Sequence, residues 1–261
     1  MERINYALRY LNYLLKAKDE HSLHSPFLFD LYTNVIQSEA RYYSYDSIEA
    51  IRSEMLDSTQ QIEITDYGAG SRVFKSNRRK IKSIAKTALK AEKYGQLIFR
   101  LINHFKFKNN LELGTSLGIT TSYMGAVNSN YKVMTFEGCP RTSAIAKSNF
   151  DKLGLKNITQ IEGNFDDTFP KELAKLDRVD FAYIDGNHRK EPTLNYFNWL
   201  MEKSHEQTIL IFDDIHWSNE MDKAWQLIKS NDKVSVTIDL FHLGIVFFRK
   251  EQVKQDFVLK Y

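Results

Sequence analysis

The sequence is poor in cysteine, and its single cysteine, Cys139, excludes a disulfide framework and a zinc site built from cysteines. Long apolar runs are also missing, because no stretch approaches the roughly 20 residues that a membrane-spanning helix needs. The net charge is only +3, so the overall electrostatics require neither a nucleic-acid nor a membrane partner. The first residues carry charges and no apolar segment, so we expect no signal peptide and a soluble protein of the cytoplasm.

The sequence does contain enough apolar material for a core, since 43% of its 261 residues are hydrophobic. Up to residue 107 the pattern is helical. A first helix has one apolar stripe at helical spacing, formed by Ile4, Leu8, Leu11 and Leu15. Ser25 and Pro26 mark the start of a second helix. Further helices are predicted near 45–55 and within 77–104, with a break near Tyr94-Gly95.

From residue 109 onward the pattern alternates between strands and helices. Strands are predicted near 110–114, 132–136, 158–162, 179–184, 207–212, 234–240 and 243–249. Helices are predicted near 119–128, 140–153, 167–175, 190–203 and 217–230. The first five strands are each followed by a helix, which implies parallel strands with right-handed crossovers. The last two form an antiparallel hairpin. The predicted fold is therefore an α/β, doubly wound, mixed sheet of seven strands (108–261) with an N-terminal helical extension (1–107) that covers the substrate.

A glycine loop follows the first of these strands, in the segment Asn-Leu-Glu-Leu-Gly-Thr-Ser-Leu-Gly-Ile at 110–119. Gly114 and Gly118 allow the backbone to approach a ligand closely, because no Cβ stands in the way. Glu137 ends the next strand, where a carboxylate can accept two hydrogen bonds from a ribose diol. The loop lacks the G-x-G-x-x-G pattern of a pyrophosphate site, so we expect S-adenosylmethionine. The alternatives are an ordinary strand–helix turn and a solvated strand-end carboxylate.

Five segments together resemble a known family, the class I S-adenosylmethionine-dependent methyltransferases with their Rossmann-like fold. They are 112–118 (ELGTSLG), 136–138 (FEG), 163–166 (GNFD), 183–188 (YIDGNH) and 211–214 (IFDD). The chain is most similar to the metal-dependent O-methyltransferases of the catechol and caffeoyl-CoA type and their bacterial relatives. The resemblance covers residues 109–250, and it departs from the family at 204–208, where a glycine pair usually precedes the fifth strand.

The resemblance implies a set of cofactor-binding residues: Glu112, Gly114, Thr115, Ser116, Gly118, Glu137, Gly138, Asn164, Phe165, Asp166 and Asp185. We expect the backbone amides of Gly114, Ser116 and Gly118 to face the methionine portion. Phe165 would stack on the adenine and Asp166 would accept from its amine. The alternative is that Asp166 or Asp167 caps the following helix.

Three aspartates form a candidate metal-binding group. Asp185 ends the fourth strand, while Asp213 and Asp214 end the fifth. The carboxyl ends of neighbouring parallel strands share one rim, so these carboxylates should converge beside the cofactor. Hard oxygen ligands suit Mg²⁺, Mn²⁺ or Ca²⁺, and a cation would remove their mutual repulsion. The alternative is that Asp185 and one neighbour hold substrate or cap a helix.

His188 lies three residues after Asp185, in the loop above the same rim. It could accept the proton of a substrate hydroxyl, a role that a lysine performs in catechol-type enzymes. The alternative is a histidine that merely orders the loop. His216 and Trp217 are candidates for the substrate wall, whereas His242 is expected to be structural or exposed.

Two further segments can be interpreted either as functional or as purely structural. The glycine motif at Asp66–Ser71 is predicted to be a loop that could contact substrate. The basic stretch 72–93 could contact phosphates of an RNA or an acyl-CoA, although a solvated helix face is the usual interpretation.

The sequence therefore predicts methyl transfer from S-adenosylmethionine to a small-molecule hydroxyl, assisted by Mg²⁺ or a similar cation. The second hypothesis is an RNA or protein methyltransferase that docks its substrate on 72–93. The third is a degenerate fold serving as an interaction module. A homodimer is possible.

Overall fold

The computed structural model describes residues 2–65 and 77–261. By its internal contacts the chain forms two compact units. We call Glu39–Glu172 the central unit, and Met1–Ser38 together with Leu173–Tyr261 the terminal unit. These units do not coincide with the predicted division between residues 107 and 108, because the N-terminal helices are shared between them. As a division of function, that boundary stays a prediction.

The α-helices in the described residues are α1 (Glu2–Lys16), α2 (Pro26–Leu31), α3 (Tyr43–Asp57), α4 (Ile81–Ala88), α5 (Glu92–Phe105), α6 (Ile119–Gly125), α7 (Pro140–Lys152), α8 (Phe165–Ala174), α9 (Lys190–Lys203) and α10 (Asn219–Ser230). The strands are β1 (Gln61–Glu63), β2 (Arg78–Lys80), β3 (Asn109–Leu113), β4 (Lys132–Glu137), β5 (Ile158–Glu162), β6 (Val179–Ile184), β7 (Ser204–Asp213), β8 (Val236–Asp239), β9 (Leu243–Phe247) and β10 (Gln255–Val258).

Eight of these strands, β3 to β10, form a mixed and mostly parallel sheet, which confirms the predicted fold class. All seven predicted strands are present. The eighth, β10, pairs in parallel with β8. Its residues are exposed or half-buried, so the segment lacks the apolar pattern that signals a strand. The predicted count of seven is therefore one short.

In the terminal unit, β6 and β7 are parallel, and β9 pairs antiparallel with both β7 and β8. All six residues of β6 are buried, as expected for a strand covered on both faces. Ile184 at the end of β6 lies opposite Phe212 of β7. The next residue of each strand is an aspartate, so this register brings Asp185 and Asp213 to the same edge.

Helix α1 belongs to the terminal unit and packs through tyrosines. The ring centroids of Tyr6, Tyr10 and Tyr13 lie 5.2, 4.8 and 5.4 Å from that of Phe241. The leucines of the predicted apolar stripe are exposed instead, at 57, 55 and 88% for Leu8, Leu11 and Leu15. Aromatic residues therefore anchor α1, because the turn between β8 and β9 that it covers presents the ring of Phe241.

In the central unit, α5 continues through the predicted break at Tyr94-Gly95, and α4 and α5 are separated at residues 89–91 instead. The glycine has a packing role. A Cβ at Gly95 would lie 2.4 Å from Cδ2 of Tyr123, which is fully buried in α6. The prediction was wrong because a glycine inside a helix can mark close packing as well as a helix end.

The basic stretch is partly described. In α4 the residues Ile81, Ile84 and Ala85 are buried, whereas Lys86 is exposed and Lys82 is half-buried. This pattern is that of an amphipathic surface helix. Arg72, Lys75 and the predicted loop at 66–71 lie outside the described residues. Within the described ranges, no helix is both long and apolar enough to cross a bilayer.

Candidate active site

The glycine loop of the central unit connects β3 to α6 through a series of left-handed residues. Gly114, Ser116 and Gly118 have φ angles of 104°, 49° and 80°. Glycine adopts this region without strain, whereas serine does so at a cost. At Gly118 a Cβ would also lie 2.7 Å from the Phe150 ring and 2.9 Å from Ala146. The turn thus needs glycine at this position for both conformation and space.

The side chain of Glu137 anchors this loop. Its Oε2 accepts from the Ser116 amide at 2.7 Å, and its Oε1 accepts from the Cys139 amide at 2.9 Å. Burial raises the pKa of this carboxyl, and the two amide hydrogen bonds oppose that rise. A carboxylate has about four acceptor positions. Glu137 could therefore hold the loop and still accept from a ribose diol, with the half-buried Gly138 beside it.

The amides of the loop are used within the protein. The Gly114 and Thr115 amides donate to the Phe136 carbonyl at 3.0 and 3.1 Å, and the Gly118 amide donates to the Thr115 carbonyl at 2.8 Å. Because these amides and that of Ser116 already donate within the chain, the expectation that they face the cofactor stays a prediction. The turn satisfies its own donors, as a tight strand–helix connection must.

Glu112 has a place behind the loop rather than in it. It is 0% exposed, and its Oε2 accepts from the hydroxyls of Thr121 and, at 2.6 Å, Thr135. The Thr135 and Thr115 hydroxyl oxygens are 2.5 Å apart. These hydrogen bonds connect β3, β4, α6 and the loop. The buried position of Glu112 suits support of the loop better than direct contact with a ligand. The sequence did not reveal this role, because the threonines that contact Glu112 are far apart in the chain.

The segment after β5 begins α8. The Asn164 side chain accepts from the Asp166 amide at 3.2 Å, so this asparagine has the capping position that was considered for Asp166 or Asp167. Helix α8 accordingly starts at Phe165, two residues before the predicted start. Phe165 is half-buried and Asp166 is exposed, so both side chains are accessible to a ligand.

In the terminal unit, three side chains converge where β6 and β7 end. One potential ligand atom from each of Asp185, His188 and Asp213 lies within 4.8 Å of the others. We call these three residues the acidic cluster. His188 Nε2 is 3.3 Å from Asp185 Oδ1, and the Tyr183 hydroxyl donates to Asp185 Oδ2 at 3.2 Å. Asp213 is only 1% exposed.

The predicted third aspartate is placed differently. Asp214 is outside the cluster found among the described residues, and His188 is in it. Asp214 has a left-handed φ of 51°, its amide donates to the His242 carbonyl at 2.7 Å, and its Oδ1 is 3.9 Å from His242 Nδ1. Strand β7 ends at Asp213, and the left-handed residue Asp214 turns the chain towards the hairpin turn at His242. As a metal ligand, Asp214 stays a prediction.

The donor set of the acidic cluster fits a divalent cation. Oxygen ligands lie about 2.0–2.6 Å from Mg²⁺ or Ca²⁺, so ligands of one ion are up to about 5 Å apart. The 4.8 Å span of the cluster is within that limit. Two carboxylates also offset the ion's charge.

His216 has a role that the sequence did not indicate. Its Nδ1 lies 2.8 Å from Asp222 Oδ1 and its Nε2 lies 2.7 Å from Asp239 Oδ2. Burial lowers the pKa of the imidazole, but the two carboxylates outweigh it and raise the pKa to about 9. His216 thus ties the segment after β7 to α10 and β8 instead of lining a substrate wall. Trp217, the other proposed wall residue, is 45% exposed.

Parts of the chain are similar in sequence to known proteins. A family model described as a methyltransferase domain matches residues 111–215. The catechol O-methyltransferase of Niastella koreensis is 32% identical over 126 residues, which cover 47% of this chain and 55% of that protein. An O-methyltransferase of Aspergillus flavus is 28% identical over 41% of this chain and 45% of its own length. The chain thus spans about half the length of these curated relatives.

Solved structures share the fold over more of the chain. The O-methyltransferase from Bacillus cereus, in complex with SAH, has a TM-score of 0.54 at 17% identity and covers 81% of this chain and 93% of its own. An SAH-bound methyltransferase from Podospora anserina has a TM-score of 0.59 at 13% identity, covering 87% and 98%. Residues 111–215 thus match a methyltransferase domain, and the chain shares the fold of these methyltransferases, as its motifs predicted.

Proposed function

We propose that this protein transfers the methyl group of S-adenosylmethionine to a hydroxyl of a small molecule, with the help of a divalent cation. The observation that carries this proposal is the convergence of Asp185, His188 and Asp213 at the carboxyl ends of β6 and β7. That edge of a doubly wound sheet is where such folds bind ligands. The naming of one relative as a catechol O-methyltransferase supports a hydroxyl acceptor.

The central unit would hold the cofactor. We assign the methionine portion to the loop at 114–118, the ribose to Glu137, and the adenine to the segment Asn164–Asp166. The support is the left-handed glycine turn together with the Glu137 carboxylate that is already fixed by the Ser116 amide. Because SAH is bound in the Bacillus cereus and Podospora anserina structures, the same cofactor class is expected here.

The acidic cluster would hold the cation through Asp185 and Asp213, with Asp214 retained as a further candidate ligand. Carboxylate oxygens favour Mg²⁺ or Mn²⁺. When bound, such an ion lowers the pKa of a hydroxyl and fixes its direction. The chain itself contributes the alignment of donor and acceptor, since the electrophilic methyl needs little further activation.

His188 would accept the proton of the acceptor hydroxyl. Its Nε2 lies 3.3 Å from Asp185, so a proton on Nε2 would be held by that carboxylate. The lone pair is then on Nδ1, which becomes the basic atom. The same arrangement of carboxylate and imidazole orients the base in hydrolytic triads.

The test combines cofactor binding with metal-dependent turnover. Calorimetry should detect S-adenosylmethionine binding to the purified protein, and catechol should be methylated with Mg²⁺ but not with EDTA. Turnover that persists in EDTA, with salt-sensitive RNA binding, would favour the RNA methyltransferase hypothesis instead. Absence of cofactor binding would leave the interaction-module hypothesis. The cytoplasm and a homodimer stay predictions from the sequence.

A further inference from the structure

Helix α1 reaches the segment that follows the acidic cluster. The Tyr6 and Trp217 rings meet edge to face, with centroids 5.9 Å apart and planes at 72°. The Arg9 guanidinium donates to the His216 carbonyl at 3.4 Å and to the Asn219 side chain. The amino-terminal end of the chain therefore packs on the segment 214–219, which begins one residue after Asp213.

Tyr6 is linked through His242 to Asp214, the residue that follows Asp213. Its hydroxyl oxygen lies 3.5 Å from His242 Nδ1, and the same nitrogen lies 3.9 Å from Asp214 Oδ1. The phenol is therefore separated from Asp214 by one imidazole. Tyr6 is half-buried and Trp217 is 45% exposed, so part of each ring faces solvent beside this rim. A partly exposed aromatic pair next to a polar centre is typical of a ligand-contacting wall.

We propose that Tyr6 and Trp217 form one wall of the acceptor pocket and that Tyr6 determines acceptor specificity. This inference rests on the proposed function, because it takes the acidic cluster as the place of the reacting hydroxyl. The ring of Tyr6 contacts the body of the acceptor, and its hydroxyl, oriented by His242, contacts a second polar group. Helix α1 thereby contributes to selection without contributing a reacting group.

Tyr10 provides a matched control within the same helix. It makes the same kind of edge contact with Phe241, at 4.8 Å against 5.2 Å for Tyr6. The other ring contact that the structure describes for Tyr10 is a stacked one with Tyr13, which lies about one turn further along the helix. Loss of either tyrosine should weaken the anchoring of α1 to a similar extent, whereas only loss of Tyr6 alters the wall.

The experiment compares Tyr6→Leu, Tyr6→Phe and Tyr10→Leu with the wild-type protein, using catechol and methyl glucoside as acceptors with Mg²⁺. We expect Tyr6→Leu to raise the KM of the better acceptor about tenfold, the upper range for one aromatic contact, with kcat within about twofold. Tyr6→Phe should raise it about threefold, since only the hydroxyl is lost. Tyr10→Leu should stay within about twofold of wild type.

Three results would overturn the inference: an unchanged KM in Tyr6→Leu, equal KM changes in Tyr6→Leu and Tyr10→Leu, or no wild-type turnover of either acceptor. The first two leave the proposed function intact, provided that turnover remains sensitive to EDTA. The third contradicts the proposed function as well. Calorimetry with S-adenosylmethionine should give the same affinity for all four proteins, which separates acceptor effects from cofactor effects.

Discussion

The glycine loop of the central unit and the acidic cluster of the terminal unit are built on different principles. The loop is held by backbone amides and carbonyls over a few consecutive residues, with Glu137 as the main side chain. The acidic cluster depends on side chains from two strand ends, and its surroundings come from the hairpin turn and α1. A site made by the backbone is encoded locally, whereas one made by side chains depends on how distant segments pack.

The largest expected effect tests whether one side chain of the acidic cluster carries a chemical step. His188→Ala should lower kcat by roughly 10²–10⁴-fold, the usual contribution of a positioned acid–base group. The affinity for S-adenosylmethionine should not change. Steady-state kinetics with Mg²⁺ and calorimetry measure the two quantities.

His205 offers a control of the same chemistry elsewhere in the terminal unit. Its Nε2 lies 3.0 Å from Asp180, near the start of β7 instead of its end. His205→Ala should cost stability but leave kcat within about fivefold, because it lacks the acid–base role. Equal losses of kcat in the two variants would assign His188 a structural role.

Removal of single carboxylates tests which aspartates bind the cation. Mutations around metal ligands cost roughly 10–100-fold in affinity, and Asp185→Asn should cost at least that much. Asp214→Asn should cost less, because Asp214 is outside the cluster. Titration with Mn²⁺, followed by electron paramagnetic resonance, gives the affinity without any turnover. The reverse order of the two variants would place the cation beside Asp214.

In the glycine loop, the side chain of Glu137 is expected to matter most. Glu137→Ala should weaken S-adenosylmethionine binding by about 1.5–3 kcal/mol, the range for hydrogen bonds to a charged group. Glu162 is the matched control, since it is the residue opposite Glu137 at the end of the neighbouring strand β5. Calorimetry should show normal affinity for Glu162→Ala. A similar loss in both variants would mean that general electrostatics, not a specific contact, drives the effect.

The His216 bridge makes the stability of the terminal unit depend on pH. Its folded pKa of about 9 exceeds the ordinary 6.5, so the folded state binds the proton more tightly. This stabilisation is complete below pH 6.5 and disappears as the pH rises through about 9. It should amount to on the order of 3 kcal/mol. Urea unfolding at pH 6 and pH 9.5 should show the decline in wild type and a smaller one in His216→Gln.

The smallest expected effect separates conformation from packing in the glycine loop. Gly118→Ala must accept a left-handed φ of 80° and a Cβ 2.7 Å from Phe150. Gly154→Ala has a comparable φ of 69° with no atom within 4 Å of the new Cβ. The first should cost about 1–2 kcal/mol more free energy of unfolding than the second, because only it adds overpacking. Equal costs would mean that the loop can move away from α7.

The predictions from sequence succeeded where the signal is local. Strands β5 and β6 and helix α9 have the predicted bounds, because apolar runs and helical periodicity are properties of neighbouring residues. They failed where a residue serves a distant partner. Gly95 resembles a helix break but accommodates Tyr123, and the unpatterned strand β10 exists because β8 offers it a free edge.

By itself the sequence determined the order of strands and helices, the glycine turn and the presence of carboxylates at two strand ends. Tertiary structure decided which side chains meet: His188 instead of Asp214 joins Asp185 and Asp213, His216 bridges two carboxylates, and Tyr6 reaches the rim from the other end of the chain. The physical reason is that backbone conformation follows from neighbouring residues. The direction of a side chain depends on register, handedness and packing, which involve residues far apart in the chain.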